Sequence, residues 1–300
     1  MKQLTAGILL LALALGGCGP KATLSADEYF HNASDDFRAG SLVPAIEQYR
    51  ELLDQHPFSE YTEEAELRIA QAQYLDEDYA AATISLTDFQ RRHPTSPQLP
   101  AVGYYLGMCY ARQMGTLDRD QTAAQNAHTY FATLANQYPQ SPFAQLAREQ
   151  VSRCRESMAG HEMYVANYYR RLGNRKASQI RLLSLAAAYG DTTVGADALL
   201  ELTTDYAKAD NAEYAGLAYK ALKDLHPDEP QTAAARKEVD LDKIDLPKTS
   251  DPLDLLLIAN GRRRPAQGLT LPAVPVAAPK NLPRTPPTMP TVDPFGRSQY

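Results

Sequence analysis

Apolar residues between Phe30 and Leu225 recur at helical spacing, in a frame anchored by one short mark. The mark reads His56-Pro57-Phe58-Ser59, His93-Pro94-Thr95-Ser96 and Tyr138-Pro139-Gln140-Ser141. Weaker copies are Tyr189-Gly190-Asp191-Thr192 and His226-Pro227-Asp228. Proline stops a helix because it has no N–H to donate and its ring strikes the preceding turn. A Ser or Thr two positions later offers an oxygen to the bare N–H groups of a following helix. In the fifth copy that position is Glu229, and no helix is expected after it. Five positions before each mark stand Leu52, Phe89, Leu134, Leu185 and Leu222; eight before stand Tyr49, Leu86, Phe131, Leu182 and Tyr219. Twelve before stand Ala45, Ala82, Ala127, Ser178 and Ala215. Bulky residues three apart, with a small one four earlier, share one helix face. The small residue allows a paired helix to approach closely.

The first helix of each pair carries its own small position: Ala33, Ala70, Gly107, Ser152 and Thr203. Before these stand Asn32, Ile69, Leu106, Val151 and Leu202, and Asn32 falls in the terminal repeat, where one face lacks a neighbour. The pattern resembles the tetratricopeptide repeat. Successive marks lie 37, 45, 51 and 37 residues apart, against a unit of about 34 in that repeat. Two pairs therefore carry insertions: one at Met114 to Gln121 between the helices of the third pair, the other extending the first helix of the fourth through Tyr164 to Arg171. The expected fold is all-α, a right-handed α-solenoid of five tetratricopeptide-like helix pairs over residues 27–245. The pairs span approximately 27–57, 58–94, 95–139, 140–190 and 191–228. A stack of this kind presents a groove suited to peptides and protein elements.

The two ends of the chain follow different rules. Lys2 precedes an apolar run from Ala6 to Leu15, about half of what a membrane-spanning helix requires. It reads as the core of a signal peptide over residues 1–17. The run ends in Leu15-Gly16-Gly17-Cys18, which resembles the bacterial lipobox and implies cleavage before Cys18 and lipidation of it. An ordinary secretory signal with a chance Cys is the alternative. Residues 18–26 then serve as a lipidated tether. Two or three acyl chains anchor stably where one does not, at ~0.8 kcal/mol per buried methylene. Gly19 stands where an Asp would resemble an inner-membrane retention signal, so the expected location is the periplasmic face of the outer membrane of a two-membrane bacterium. At the other end, eleven of the 21 prolines lie after Asp245. Residues 246–300 are expected to form a disordered, proline-rich tail, with one short apolar turn at Asp254 to Ala259. From Pro265 onward nine of 36 residues are Pro, a composition that favours an extended chain, either a partner ligand or a bare spacer.

Composition removes several function classes. The chain of 300 residues has net charge −6, so no global basic field points to nucleic acid. The cysteines, Cys18, Cys109 and Cys154, are odd in number and widely spaced, which argues against a disulfide framework or a zinc site. Cys109 and Cys154 each fall fifteen residues after a repeat Pro, where the first such position is Ala72, and read as buried free thiols. His161-Glu162 lacks the second His four residues on, since position 165 is Val. His56, His93 and His226 occupy one repeat position and read as helix-end packing. No nucleophile–base pair, paired carboxylates or phosphate loop has local support. No catalysis, metal or cofactor is expected.

Two strings inside the insertions are more specific than the repeats. They are Leu117-Asp118-Arg119-Asp120-Gln121, and His161-Glu162-Met163-Tyr164-Val165-Ala166-Asn167-Tyr168-Tyr169 followed by Gly173 and Ala177 to Arg181. Together with the lipobox and the repeats, they are similar to the outer-membrane β-barrel assembly factor D, or ComL, family, over about residues 18–230. The resemblance implies a scaffold that binds the central subunit of the β-barrel assembly machinery, unfolded outer-membrane protein precursors and other assembly lipoproteins. A different periplasmic repeat lipoprotein, such as a secretin pilotin or envelope coordinator, is the alternative.

By that resemblance Arg181 faces the central subunit; as a bare sequence feature it is equally an exposed helical Arg. Tyr168, Tyr169 and Arg170, with Tyr164 and Arg171, form either a partner surface or a cover for the next pair, Tyr and Arg being enriched at binding hot spots. Phe30, Leu67, Tyr74 and Tyr104 fall where first helices face inward, and are candidates for a precursor groove or for inter-helix core. The fourth mark departs from the family in having Gly190 in place of Pro, and the tail is longer than the family core needs.

Overall fold

The computed structural model describes residues 23–239 and 251–261. The signal peptide, Cys18, the tether as far as residue 22 and the proline-rich stretch from 262 lie outside the described residues. Among the described residues all regular structure is α-helical. The helices are α1 (Ala26–Arg38), α2 (Leu42–Gln55), α3 (Thr62–Leu75), α4 (Tyr79–Arg92), α5 (Leu99–Arg112) and α6 (Thr122–Gln137). They continue as α7 (Pro142–Arg171), α8 (Arg175–Tyr189), α9 (Thr193–Lys208), α10 (Ala212–Leu225), α11 (Pro230–Glu238) and α12 (Pro252–Ala259). The chain divides between Asp76 and Glu77 into two compact units.

In the first unit α1 packs on α2 and α2 on α3. Ser25 opens α1 with a capping box: its hydroxyl accepts the Glu28 N–H at 3.2 Å, and the Glu28 carboxylate accepts the Ser25 N–H at 2.8 Å. Tyr29, Ala33, Phe37, Ala45, Ile46, Tyr49 and Leu52 fill the core with Ala65, Ile69 and Ala72. The Tyr49 hydroxyl meets Ser34 Oγ at 3.0 Å, so its polar end is satisfied.

In the second unit α4 packs on α5, and the helices pair as α5 with α6, α7 with α8 and α9 with α10. Each pair also touches the next, and α11 packs on α9 and α10. No pair can bury its apolar face alone, so sequential stacking gives each pair a neighbour to bury it against. Residues of α8, α9 and α10, among them Leu182, Leu185, Leu199, Leu202, Ala218 and Leu222, belong to a single cluster.

The repeated frame is realised at every second helix. All fifteen positions five, eight and twelve before the marks are buried, none more than 6% exposed. Each large side chain contributes about 1.5–3 kcal/mol relative to an exposed one. Four of the five marks are one recurrent turn. His56, His93, Tyr138 and His226 end their helices at φ between −121° and −137° and ψ of 56–63°. A residue before Pro is pushed out of the helical region in this way. His56 and His226 are held at the turn by their rings, which lie 2.9 Å from Leu24 O and 2.7 Å from Gly190 O.

Several expectations are corrected. Ser141 and Thr192 do cap the next helix, accepting from Phe143 N–H at 3.2 Å and Gly195 N–H at 2.9 Å. Ser59 and Ser96 instead accept the N–H two residues on, within a turn that precedes the helix. Ser152 is exposed; the long helix buries Gln150 and Cys154, so the small-residue position of the fourth pair lies elsewhere. A helix does follow the fifth mark: α11 begins with Pro230 in its first turn, where the missing N–H costs nothing. The short apolar turn is an eight-residue helix, α12, with Leu253, Leu256 and Leu257 buried.

Candidate functional site

The 30-residue helix α7 is the spine of the site, about 45 Å long at 1.5 Å per residue. It packs against α5, α6, α8 and α9. Ser141 and Pro142 start it, and nothing in its interior breaks it, because Gly160 stays helical and buried. Gly160 is small for a reason: a Cβ there would lie 3.0 Å from Leu117 Cδ2. The loop between α5 and α6 therefore seats on the long helix at its only interior glycine.

Polar contacts fix that seat. The His161 Nδ1–H donates to Leu117 O at 2.7 Å. The Gln121 amide donates to Arg119 O at 2.9 Å and Thr116 O at 3.3 Å, and Ser157 Oγ donates to Gln121 Oε1 at 3.4 Å. Asp118 accepts from Thr116 Oγ1 at 2.5 Å and Asp120 from Thr122 N–H at 2.9 Å. These bonds favour the ionised form and hold both carboxyls below the usual range, the Thr116 bond acting on Asp118 and the Thr122 bond on Asp120. The two strings that were distinctive in the sequence, 117–121 and 161–169, are thus brought into contact.

From its middle onward α7 is tied to its neighbours by charge. Glu156 accepts Thr193 N–H at 2.8 Å and Val194 N–H at 3.4 Å, placing a carboxylate at the positive end of α9. Arg155 pairs with Asp191 and donates to Ala188 O at 3.1 Å, with its guanidinium 5.4 Å from the centre of the Tyr189 ring. Arg170 reaches α9, 2.7 Å from Glu201 and 3.4 Å from Asp205. Arg181 on α8 pairs with Glu162 at 3.3 Å.

These ties sort the expected partner residues. Arg170 is engaged within the chain and acts as a clamp between α7 and α9. Arg181 is exposed, with Glu162 aligning it on the surface. Tyr168 is 48% exposed, and the half-buried Tyr169 ring lies edge-on 5.8 Å away. Tyr164, Tyr168 and Leu172 follow one another at four-residue steps, all exposed, so they form one apolar stripe. Arg171, Arg175 and Lys176 are exposed at the same end. Leu172 and Arg175 went unnoticed in the sequence, although the four-residue step from Tyr164 through Tyr168 already pointed to Leu172.

The precursor-groove residues behave differently. Leu67, Tyr74 and Tyr104 are buried, at 5%, 8% and 5% exposure, and present little side-chain surface to an extended chain. Tyr104 packs 5.7 Å from the Phe131 ring and 5.5 Å from the Phe143 ring, as inter-helix core. Phe30 is half-buried, stacked 4.6 Å over the Tyr61 ring, whose hydroxyl donates to Asp27 at 2.9 Å. Cys109 and Cys154 are free and buried. Burial alone pushes the Cys154 thiol up to about 12, and it is the main cause of the rise to about 11 at Cys109. Among the described residues no cluster of His, Cys, Asp and Glu could hold a metal ion, and no helix is long and apolar enough to cross a membrane.

Comparison with known proteins agrees with this architecture. The family model YfiO, described as outer membrane lipoprotein, matches residues 23–236. A protein of Xylella fastidiosa named outer membrane protein assembly factor BamD is 29% identical over 244 residues, covering 76% of this chain and 84% of the relative. Proteins of the same name are 27% identical in Caulobacter vibrioides, covering 67% of this chain and 69% of the relative, and 25% identical in Neisseria meningitidis, covering 73% and 90%. A match over most of the helical body, including both distinctive strings, places this chain in the YfiO family of outer membrane lipoproteins.

Proposed function

We propose that this chain is a lipid-anchored scaffold of outer-membrane β-barrel assembly, held on the periplasmic face by Cys18. Its partner surface is the exposed end of the long helix together with Arg181. The observation that carries the reading is the stripe of Tyr164, Tyr168 and Leu172, exposed on a helix braced from both sides. Rigid aromatic anchors with a guanidinium beside them are what polypeptide recognition uses, and the Arg181 fork can take a carboxylate of the central barrel subunit. Glu162 keeps Arg181 extended, and a partner carboxylate competes for it. Phe30, half-open above Tyr61, is the remaining candidate for contact with an unfolded precursor.

The test is affinity capture from detergent-solubilised outer membranes with the full chain as bait. Recovery of the central barrel subunit is expected, reduced by Arg181→Glu and by Tyr168→Ala. Recovery of a secretin instead supports the alternative of a pilotin. Undiminished recovery with both variants removes this surface from the account. Cys18→Ala is expected to release the chain from membranes, since no acyl chain remains to anchor it.

A further inference from the structure

The second helix of each pair buries its mark-related face, and positions about 200° round, ten and six residues before the mark, lie on the opposite face. In α2 these are Glu47 and Glu51, in α4 Ile84 and Asp88, and in α6 Thr129 and Thr133. Four of the six are exposed, Ile84 to 66%, and Asp88 and Thr129 are half-buried. In α8 the pair becomes Ile180 and Ser184, both half-buried. In α10 it becomes Leu217 and Ala221, each 2% exposed. The outward face has turned apolar and covered at the end of the second unit.

The cover is α12, which packs on α10 and α8. Leu253, Leu256 and Leu257, spaced to share one face, are 4%, 0% and 1% exposed. Asp251 starts the helix by accepting the Asp254 N–H at 2.9 Å, and the Asn260 amide ends it by donating to Leu256 O at 2.8 Å. Eight residues do not hold a helix alone in water, so docking supplies its stability. Closing the end of the stack does not require it, because α11 already packs on the last pair, α9 and α10.

We propose that the outward face of α8 and α10 is a docking site for a short leucine-rich helix, which this chain fills with α12 and opens to a partner helix of the same chemistry. The segment 240–250 joins α12 to the body, and a linker of that length gives an effective concentration of order millimolar. For a helix that binds at about 10 μM, the cis occupant lowers the apparent affinity of a competitor by on the order of 100-fold. Only a tighter or locally concentrated partner displaces it.

The test uses the full chain carrying Leu253→Asp and Leu256→Asp, and a fluorescein-labelled peptide of residues 250–261 followed by anisotropy. The variant is expected to bind one peptide per chain at least ~30-fold more tightly than the unaltered chain does, and to ignore a peptide bearing the same two changes. A variant that keeps its helical circular dichroism yet binds no better overturns the proposal. A second variant decides the matter if the first misfolds: a specific protease site placed within 240–250 of the otherwise unaltered chain. After cleavage, release of 251–300 on dilution from a still-helical body supports the proposal. Retention at nanomolar concentration, or collapse of the body, shows α12 to be permanent core and overturns it.

Discussion

Gly107→Ala is the sharpest test of how the helix pairs meet. A Cβ at this position in α5 would fall 2.6, 2.7 and 2.8 Å from Phe131 Cε1, Cδ1 and Cζ. Ordinary contact begins near 3.4 Å, so the ring must retreat by about 0.8 Å. It has little room: Phe131 is fully buried, and the Tyr104 ring lies 5.7 Å away on the other helix. Alanine in place of a helical glycine would by itself stabilise by about 0.5–1 kcal/mol. Overpacking a tight core costs about 1–3 kcal/mol. The clash involves a ring between helices rather than a flexible chain end, so the cost wins, and the expected net loss is about 1–2 kcal/mol. For a chain of this size that lowers Tm by about 3–6 °C, read from circular dichroism at 222 nm and checked by urea titration. Phe131→Leu in the same chain should recover part of the loss, giving a coupling above about 0.5 kcal/mol in the double-mutant cycle. A Gly107→Ala chain as stable as the parent, or more so, would refute the packing argument.

Other outcomes follow from single residues. Gly173 lies between α7 and α8 at φ 74° with open space around its Cα, so Gly173→Ala should cost about 1–2 kcal/mol from backbone strain alone and Gly173→Asn less, measured by thermal unfolding. Cys154 and Cys109, raised to about 12 and about 11, should resist thiol reagents at pH 8 in the folded chain and react fully in denaturant. Because these thiols bind their protons more tightly folded than unfolded, their contribution is complete below about pH 9 and is lost as pH rises through 11 to 12. Stability over that window should fall less steeply in a Cys109→Ala, Cys154→Ala chain. Arg170→Ala removes a half-exposed clamp to Glu201 and Asp205 and should cost about 0.5–1 kcal/mol. Tyr168→Ala should leave stability within about 0.5 kcal/mol while lowering partner capture about tenfold or more.

Much of the body was legible because helical packing repeats locally. The residues five, eight and twelve before each mark are buried as their spacing implies, and the marks end their helices as Pro requires. Where the frame relied on one small residue it was weaker: Ser152 satisfied the composition but not the face, since α7 turns Gln150 and Cys154 inward instead. The helix after the fifth mark was missed because Glu229 is not a favoured cap and the signal lay in Pro230. Tyr104 was ambiguous for a related reason, since aromatic residues on an inward-facing helix serve a groove and a core equally well until neighbouring rings are placed.

Periodicity within one helix determined by itself that this chain is a series of paired helices, with ends of a different kind, because side-chain spacing at 3.6 residues per turn is a property of the sequence. Which polar residues answer one another was decided only by the fold. Leu117 on Gly160, Arg170 on Glu201 and Asp205, Glu156 on the start of α9, and α12 on α8 and α10 join positions far apart in the chain. Such contacts depend on the rotation and offset of whole helices against one another, which small differences in packing set and which no local pattern encodes.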